Sequence, residues 1–287
     1  MKLFPALPTL LISALLAVGS IPSANANLKT PAASPHASFK QTVGLTEVEM
    51  DYSRPGVKDR EIFGELVPYG KVWRTGANQP SKIRFSDDVV FGGEKIPAGE
   101  YALYTIPGEA EWTVIVYGST ELWGAFGYEE KNDVVRFSVT PMTIDEQVES
   151  MSFGIKDLES DQAVLYLEWD YTCIEIPILV PTDKKVMSQI EKLKSSDSFD
   201  SPRTLFAAGT YYHETGKDLK TALKWVSSAC EKSEKPAYWM LARKAQIEMD
   251  LGMTKEAKAS AEKTLKLATE GGNPDYQKIA QDILESL

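Results

Sequence analysis

Two periods run along this chain of 287 residues. From Thr46 to Ser53, apolar Val48, Met50 and Tyr52 alternate with Glu47, Glu49 and Asp51. A two-residue period puts successive side chains on opposite faces, which is the pattern of a half-buried strand. Comparable runs follow at Ser81–Ser86, Gly99–Ile106, Glu111–Tyr117, Asp133–Thr140, Glu146–Ile155, Gln162–Trp169 and Thr172–Val180. Turn formers separate them: Gly92-Gly93, Pro97-Ala98-Gly99, Pro107-Gly108 and Asp170. Gly99–Ile106 and Glu111–Tyr117 read as one hairpin across Pro107–Ala110. Short strands without an intervening helical period predict an antiparallel β-sandwich, or a partly open barrel, over residues 27–181.

From Asp183 onward the β-branched runs stop, and Ala, Leu, Lys and Glu dominate. Thr182 or Asp183 is placed to cap a first helix that ends at Lys194, and residues 182–200 read as a helix plus a Ser/Asp-rich linker. Ser201-Pro202 opens the next helix, with an N-cap followed by Pro at the first helical position. Gly216 and Gly252 end helices, and Gly271-Gly272-Asn273-Pro274 breaks another. Residues 201–287 therefore predict antiparallel helical hairpins. Ala222 and Ala257, 35 positions apart, each follow a helix–Gly–turn unit. This resembles tetratricopeptide helix pairs, whose period is about 34. Small residues at a helix crossing account for the alanines equally well.

Residues 1–26 carry a different pattern. Lys2 precedes an apolar run from Leu3 to Val18 broken by Pro5 and Pro8, and Ala24-Asn25-Ala26 supplies a small-x-small cleavage site. The run is shorter than the ~20 residues a span requires. A signal peptide cleaved between Ala26 and Asn27 is expected. The mature protein is then extracytoplasmic, periplasmic or secreted, with no stable membrane insertion.

Charge sharpens the division. Residues 27–181 hold 13 Lys and Arg against 25 Asp and Glu, whereas residues 182–287 hold 17 against 16. The overall charge of -10 thus belongs to the β module. Such acidity argues against a nucleic-acid partner. Two His and two Cys, far apart, leave no zinc-finger or Fe–S ligand set, and no metal or cofactor is expected. An extracytoplasmic address permits a Cys173–Cys230 bridge, but Cys173 falls in an apolar strand and Cys230 in the apolar phase of a helix, so two buried free thiols are favoured.

The run Asp51-Tyr-Ser-Arg-Pro-Gly-Val-Lys-Asp-Arg-Glu-Ile-Phe-Gly-Glu-Leu-Val-Pro-Tyr-Gly-Lys-Val-Trp-Arg-Thr-Gly-Ala-Asn78 resembles the signature of the DUF2911 family. Ser34-Pro35, Thr42-Val43-Gly44-Leu45, Ile96–Gly108, Glu111-Trp112-Thr113 and Trp123-Gly124 add to the resemblance, which covers roughly residues 34–180. The resemblance implies secreted bacterial proteins, common in Bacteroidetes, with a β-rich fold and an unknown function. It implies no catalytic residue.

The same run concentrates the polar chemistry. Tyr52, Ser53, Arg54, Arg60, Lys71, Trp73, Arg74, Thr75 and Asn78 crowd an otherwise acidic module. Arginine's planar fork grips carboxylates or phosphates through two parallel bonds, so Arg54, Arg60 and Arg74 with Trp73 as a wall form a candidate anion or sugar-acid site. The alternative is that these arginines fasten an aperiodic connection by bonding its own carbonyls. A second candidate is the glycine-set aromatic run from Trp123 to Tyr128, whose rings either receive a ligand or plug the end of the sandwich. Asp157, Glu159 and Asp161 alternate in a turn but lack the Gly and final Glu of an EF-hand loop. His36 is the one histidine near the signature; Gly-x-Ser-x-Gly and His-Glu-x-x-His are absent.

Three functional readings follow. The first is a ligand-binding or scaffolding module of the bacterial envelope, taking a small ligand or glycan, with the helical tail presenting a protein-partner surface. The second is a secreted carboxylate-dependent, glycan-directed hydrolase. The third is a purely structural envelope protein. The first is favoured on the aromatic loop, the arginine cluster and the solenoid-like tail, whereas the hydrolase reading has only abundant acids and the expected secreted address behind it.

Overall fold

The computed structural model describes residues 28, 30–235 and 237–287, so the expected signal peptide lies outside the described residues. Ten strands come first: β1 (His36–Val43), β2 (Thr46–Ser53), β3 (Ser81–Phe85), β4 (Val89–Phe91), β5 (Glu94–Ile96), β6 (Gly99–Ile106), β7 (Trp112–Tyr117), β8 (Asp133–Val139), β9 (Met142–Lys156) and β10 (Gln162–Leu179). They form two antiparallel sheets with the orders β1-β2-β3-β6-β7-β8 and β5-β4-β10-β9. The sheets enclose one core. Met50, Ile83, Phe85, Leu103 and Trp112 of the first meet Phe91, Leu165, Leu167, Trp169 and Ile176 of the second. The result is the expected sandwich-like architecture, and β6 and β7 form the hairpin across Pro107–Ala110.

Asp170 does not end a strand. It sits inside β10 with φ +55, and the pairing with β9 shifts register on both sides of it. Asp tolerates the left-handed region better than most residues, so a turn former can serve as a β-bulge in one long strand.

Six helices follow: α1 (Thr182–Lys194), α2 (Pro202–Glu214), α3 (Leu219–Lys232), α4 (Tyr238–Asp250), α5 (Thr254–Glu270) and α6 (Pro274–Ser286). They make a separate antiparallel helical region, with α2 against α3, α4 against α5 and α5 against α6. Ser201 caps α2 by accepting from the Thr204 amide at 3.3 Å, Asp218 caps α3 from Lys220, and Asn273 caps α6 from Tyr276. Neither Thr182 nor Asp183 caps α1, because Pro181 occupies the cap position without a side-chain bond. Asp183 instead accepts from the Tyr211 hydroxyl at 2.9 Å and pairs with Lys217 at 2.8 Å. Burying the Tyr211 hydroxyl and bonding it to Asp183 push its pKa up to about 12.

The alanines mark close helix contacts. Ala222, Ala229, Ala245, Ala257, Ala261 and Ala268 are buried, and Gly209 of α2 lies directly on α3. A methyl group added to Gly209 would meet Val226 Cγ2 at 2.6 Å and the Ala222 carbonyl oxygen at 2.9 Å. Cys173 and Cys230 are both free and buried. Burial pushes the Cys173 thiol up to about 11 and raises that of Cys230, so both stay protonated and unreactive.

The two regions meet at α1. Lys185 Nζ donates to the Leu45 carbonyl and to Asp87, each at 2.7 Å.

Candidate ligand-binding site

The connection from β2 to β3 contains the arginine-rich run, and its arginines divide into two kinds. Arg54 donates from Nε to the Met151 carbonyl at 2.8 Å and from Nη2 to the Ser150 carbonyl and Ser152 Oγ. It clasps the edge of β9. Arg60 donates from Nε and Nη2 to the carbonyls of Val57 and Gly56, closing its own turn. These two arginines do the fastening that an aperiodic connection requires.

Trp73 and Arg74 face opposite ways. Trp73 pairs with Thr105 of β6 through two backbone bonds of 2.7 and 2.9 Å. Thr105 and Trp73 are both buried, and the Trp73 ring stacks on Trp169 in the core. Alternation then sends Val72 and Arg74 to the outer face of the first sheet. Val72 packs there with Tyr104, Ile115 and Tyr117.

The loop between β7 and β8 covers that outer face. It repeats a three-residue unit twice: Leu122-Trp123-Gly124 and Ala125-Phe126-Gly127. In each unit the first side chain packs inward, the ring points out, and the glycine takes positive φ, +65 at Gly124 and +77 at Gly127. Trp123 is 63% exposed and Phe126 81% exposed. The expectation that they plug the end of the sandwich is therefore corrected: Leu122, Ala125 and Tyr128 pack on the outer face of the first sheet, and the larger rings stand in solvent.

The loop is fastened from below. The Tyr104 hydroxyl donates to the Gly124 carbonyl at 3.0 Å. The Tyr128 hydroxyl donates to Asp133 at 2.9 Å and accepts from Arg136, which also pairs with Asp133. Rings of Tyr104, Tyr117 and Tyr128 lie 5.2–5.4 Å apart. Burial pushes the hydroxyls of Tyr104 and Tyr128 up to about 12, so both remain neutral donors near pH 7.

Arg74 reaches this loop. A methyl group at Gly124 would lie 3.9 Å from Arg74 Nη1. Arg74 is half-buried, and its buried Nε meets no acceptor among the described residues. Burial lowers the guanidinium pKa from its ordinary value, with the nearby Tyr104 hydroxyl opposing. A partly desolvated cation thus stands against the loop that carries the two exposed rings.

A second concavity lies at the end of the sandwich. Arg60, Leu66, Trp73, Arg74, Gly76 and Trp169 are among the residues lining a cleft of about 200 Å³. None of its lining residues is acidic, so it offers no carboxylate pair for glycoside cleavage.

Other sequence candidates are dispersed. Tyr52 is buried, its ring against Phe153 and its hydroxyl accepting from the Phe153 amide at 3.1 Å. It belongs to the core. Asn78 donates to Ser53 Oγ at 3.1 Å, and Thr75 Oγ1 lies 3.1 Å from Thr105 Oγ1. Lys71 is exposed. His36 Nε2 lies 2.7 Å from Asp51 on the exposed face of β1 and β2. Among the described residues, no three His, Cys, Asp or Glu side chains gather as a metal ion requires, and Asp157, Glu159 and Asp161 are no exception.

Sequence reading missed Trp169 at the cleft and the Tyr104–Tyr117 platform beneath the loop. The doubled unit ending in Gly124 and Gly127 was the available signal for which rings face out.

A family model described as "Protein of unknown function (DUF2911)" matches residues 34–178. No curated protein and no solved structure matches the chain.

Proposed function

Because the chain belongs to the DUF2911 family of unknown function, its own surface must indicate a role, and we propose an extracytoplasmic module that binds an acidic carbohydrate on the loop between β7 and β8. One observation carries this reading: Trp123 and Phe126 stand exposed on a fastened loop while the guanidinium of Arg74 lies against Gly124. Exposed rings accept the C–H faces of sugars, and an arginine that pairs with no carboxylate among the described residues is free to take one in bidentate fashion. The neutral hydroxyls of Tyr104 and Tyr128 hold the loop and do no acid–base work at neutral pH. Binding without catalysis is the function this arrangement supports.

The helical region fits a supporting role. Antiparallel pairs α2–α3 and α4–α5, each pair followed by or joined through a glycine turn, are compatible with tetratricopeptide-like hairpins that present a surface to a protein partner. The apolar run at residues 3–18 supports delivery outside the cytoplasm.

Calorimetry with uronic-acid oligosaccharides and their neutral counterparts tests the reading. Saturable binding of the acidic series is expected. Trp123→Ala is expected to weaken it about 30-fold, the scale of an aromatic hot spot, and Arg74→Met to abolish the preference over neutral sugars. Equal behaviour of wild type and Trp123→Ala toward every oligosaccharide would overturn it.

A further inference from the structure

The cleft at the end of the sandwich is built differently from the exposed loop. Its floor is the Trp73–Trp169 stack. The two indoles look alike, but their N–H groups do not share a fate. Trp73 Nε1 donates to the Gly76 carbonyl at 3.1 Å. Trp169 is 1% exposed, and its Nε1 meets no acceptor among the described residues. A buried indole N–H ordinarily finds a partner, because leaving the donor unpaired forfeits the bond it made to water. Unsatisfied buried donors are rare enough to need a cause.

Arg60 stands on the wall of the same cleft. Its bonds to the Gly56 and Val57 carbonyls fix the guanidinium through Nε and Nη2, and Nη1 makes no bond to the described residues. The guanidinium is therefore positioned in advance, with donors to spare. The lining contains no Asp or Glu, in a module where acids outnumber bases 25 to 13. A fixed arginine, a buried unpaired N–H and an absence of acid are what an oxyanion requires.

We propose that this cleft binds the oxyanion group of a small molecule, its oxygens accepting from Trp169 Nε1 and from Arg60. The volume of about 200 Å³ admits one small carboxylate or phosphate and excludes a sugar chain. The cleft is thus a second site: it shares Arg74 on its lining with the loop site but uses none of the loop's aromatic residues.

The test follows the indole itself. In the proton–nitrogen NMR spectrum of the full chain, the Trp169 indole resonance is identified by its contacts to the Trp73 ring. Acetate, lactate and inorganic phosphate are then titrated against chloride of equal ionic strength. The expected result is a saturable downfield shift of the Trp169 indole proton with at least one oxyanion, and a thermal midpoint that rises with it. Acetate or lactate acting alone assigns a carboxylate; phosphate acting alone assigns a phosphoryl group. Arg60→Gln is expected to weaken the titration at least tenfold, and Trp169→Phe to remove the anion-dependent rise in the thermal midpoint. Should Trp169→Phe fail to fold, the wild-type resonance and Arg60→Gln still decide the matter. A Trp169 indole that stays unmoved by all three anions while exchanging with solvent would overturn the proposal and leave a hydrated cleft.

Discussion

Trp73 and Trp169 stack with ring centroids 5.8 Å apart and planes 21° from parallel, joining the β2–β3 connection to β10. Phe63 and Trp112 pack edge-on around the pair. The aromatic member of the arginine-rich run is thereby a core residue, and the run's job is first to close the sandwich. Its arginines should divide accordingly when they are mutated.

Arg54→Ala removes three bonds to β9, two of them to backbone carbonyls. Bonds from a charged donor contribute about 1.5–3 kcal/mol when buried, and Arg54 is half-buried, so a loss of about 1–3 kcal/mol is expected. Thermal unfolding should shift down by several degrees. Oligosaccharide binding at the loop should be unchanged. Arg54→Lys should not restore stability, because an ammonium lacks the fork that spans Ser150 and Met151.

Stability should fall in acid through Glu49. Arg84, and after it Lys40, hold the Glu49 carboxyl down from 4.5 to about 2. A carboxyl depressed in the folded state contributes fully above its unfolded value and loses that contribution as pH falls through the folded one. Wild type should therefore exceed Glu49→Gln in stability above pH 4.5, and the difference should close between pH 4.5 and about 2. Denaturant unfolding of both proteins across that window reads the difference. A gap that persists at pH 2 would assign the effect to packing and not to charge.

Gly209→Ala sets two effects against each other. Alanine gains about 1 kcal/mol of helix propensity over glycine. The added methyl group would lie 2.6 Å from Val226 Cγ2, 2.9 Å from the Ala222 carbonyl oxygen and 3.1 Å from the Val226 amide nitrogen. Two of those neighbours are backbone, so α3 must move as a unit, at an overpacking cost of about 1–3 kcal/mol. The clash should win, lowering the unfolding midpoint and raising amide exchange in α2 and α3. Higher stability in this variant would mean that the helices separate freely.

Legibility in the sequence followed the strength of each local signal. Strand β2 was readable to its last residue because Val48, Met50 and Tyr52 keep strict alternation. Strands β4 and β5 have three residues each, too few for any period, and they exist because β10 pairs with β4. Strand β1 is a mostly exposed edge strand whose inward alternation of Ala37 and Phe39 is broken by the polar Gln41. Asp170 carried a turn signal that a bulge satisfied equally well. The candidate site was legible by composition but not by direction. Arg54, Arg60 and Arg74 share a sequence neighbourhood, yet one clasps β9, one fixes its own turn, and one crosses to the outer face. Trp169, from the far end of the chain, carried no local mark of its missing bond partner.

The edge of β9 gives the acidity of this module a further meaning. Residues 55–57 pair with β9 around Ser150 and satisfy that half of the edge. The half from Met142 to Val148 pairs, among the described residues, on one side only, with β10. An unprotected strand edge of this length is a template on which another chain can build. Asp145 and Glu146 stand exposed on it, with Glu149 at the junction. Two copies approaching edge to edge would bring these carboxylates together. Their mutual repulsion opposes such pairing, so this stretch of β9 carries the kind of charge that blunts an open strand edge.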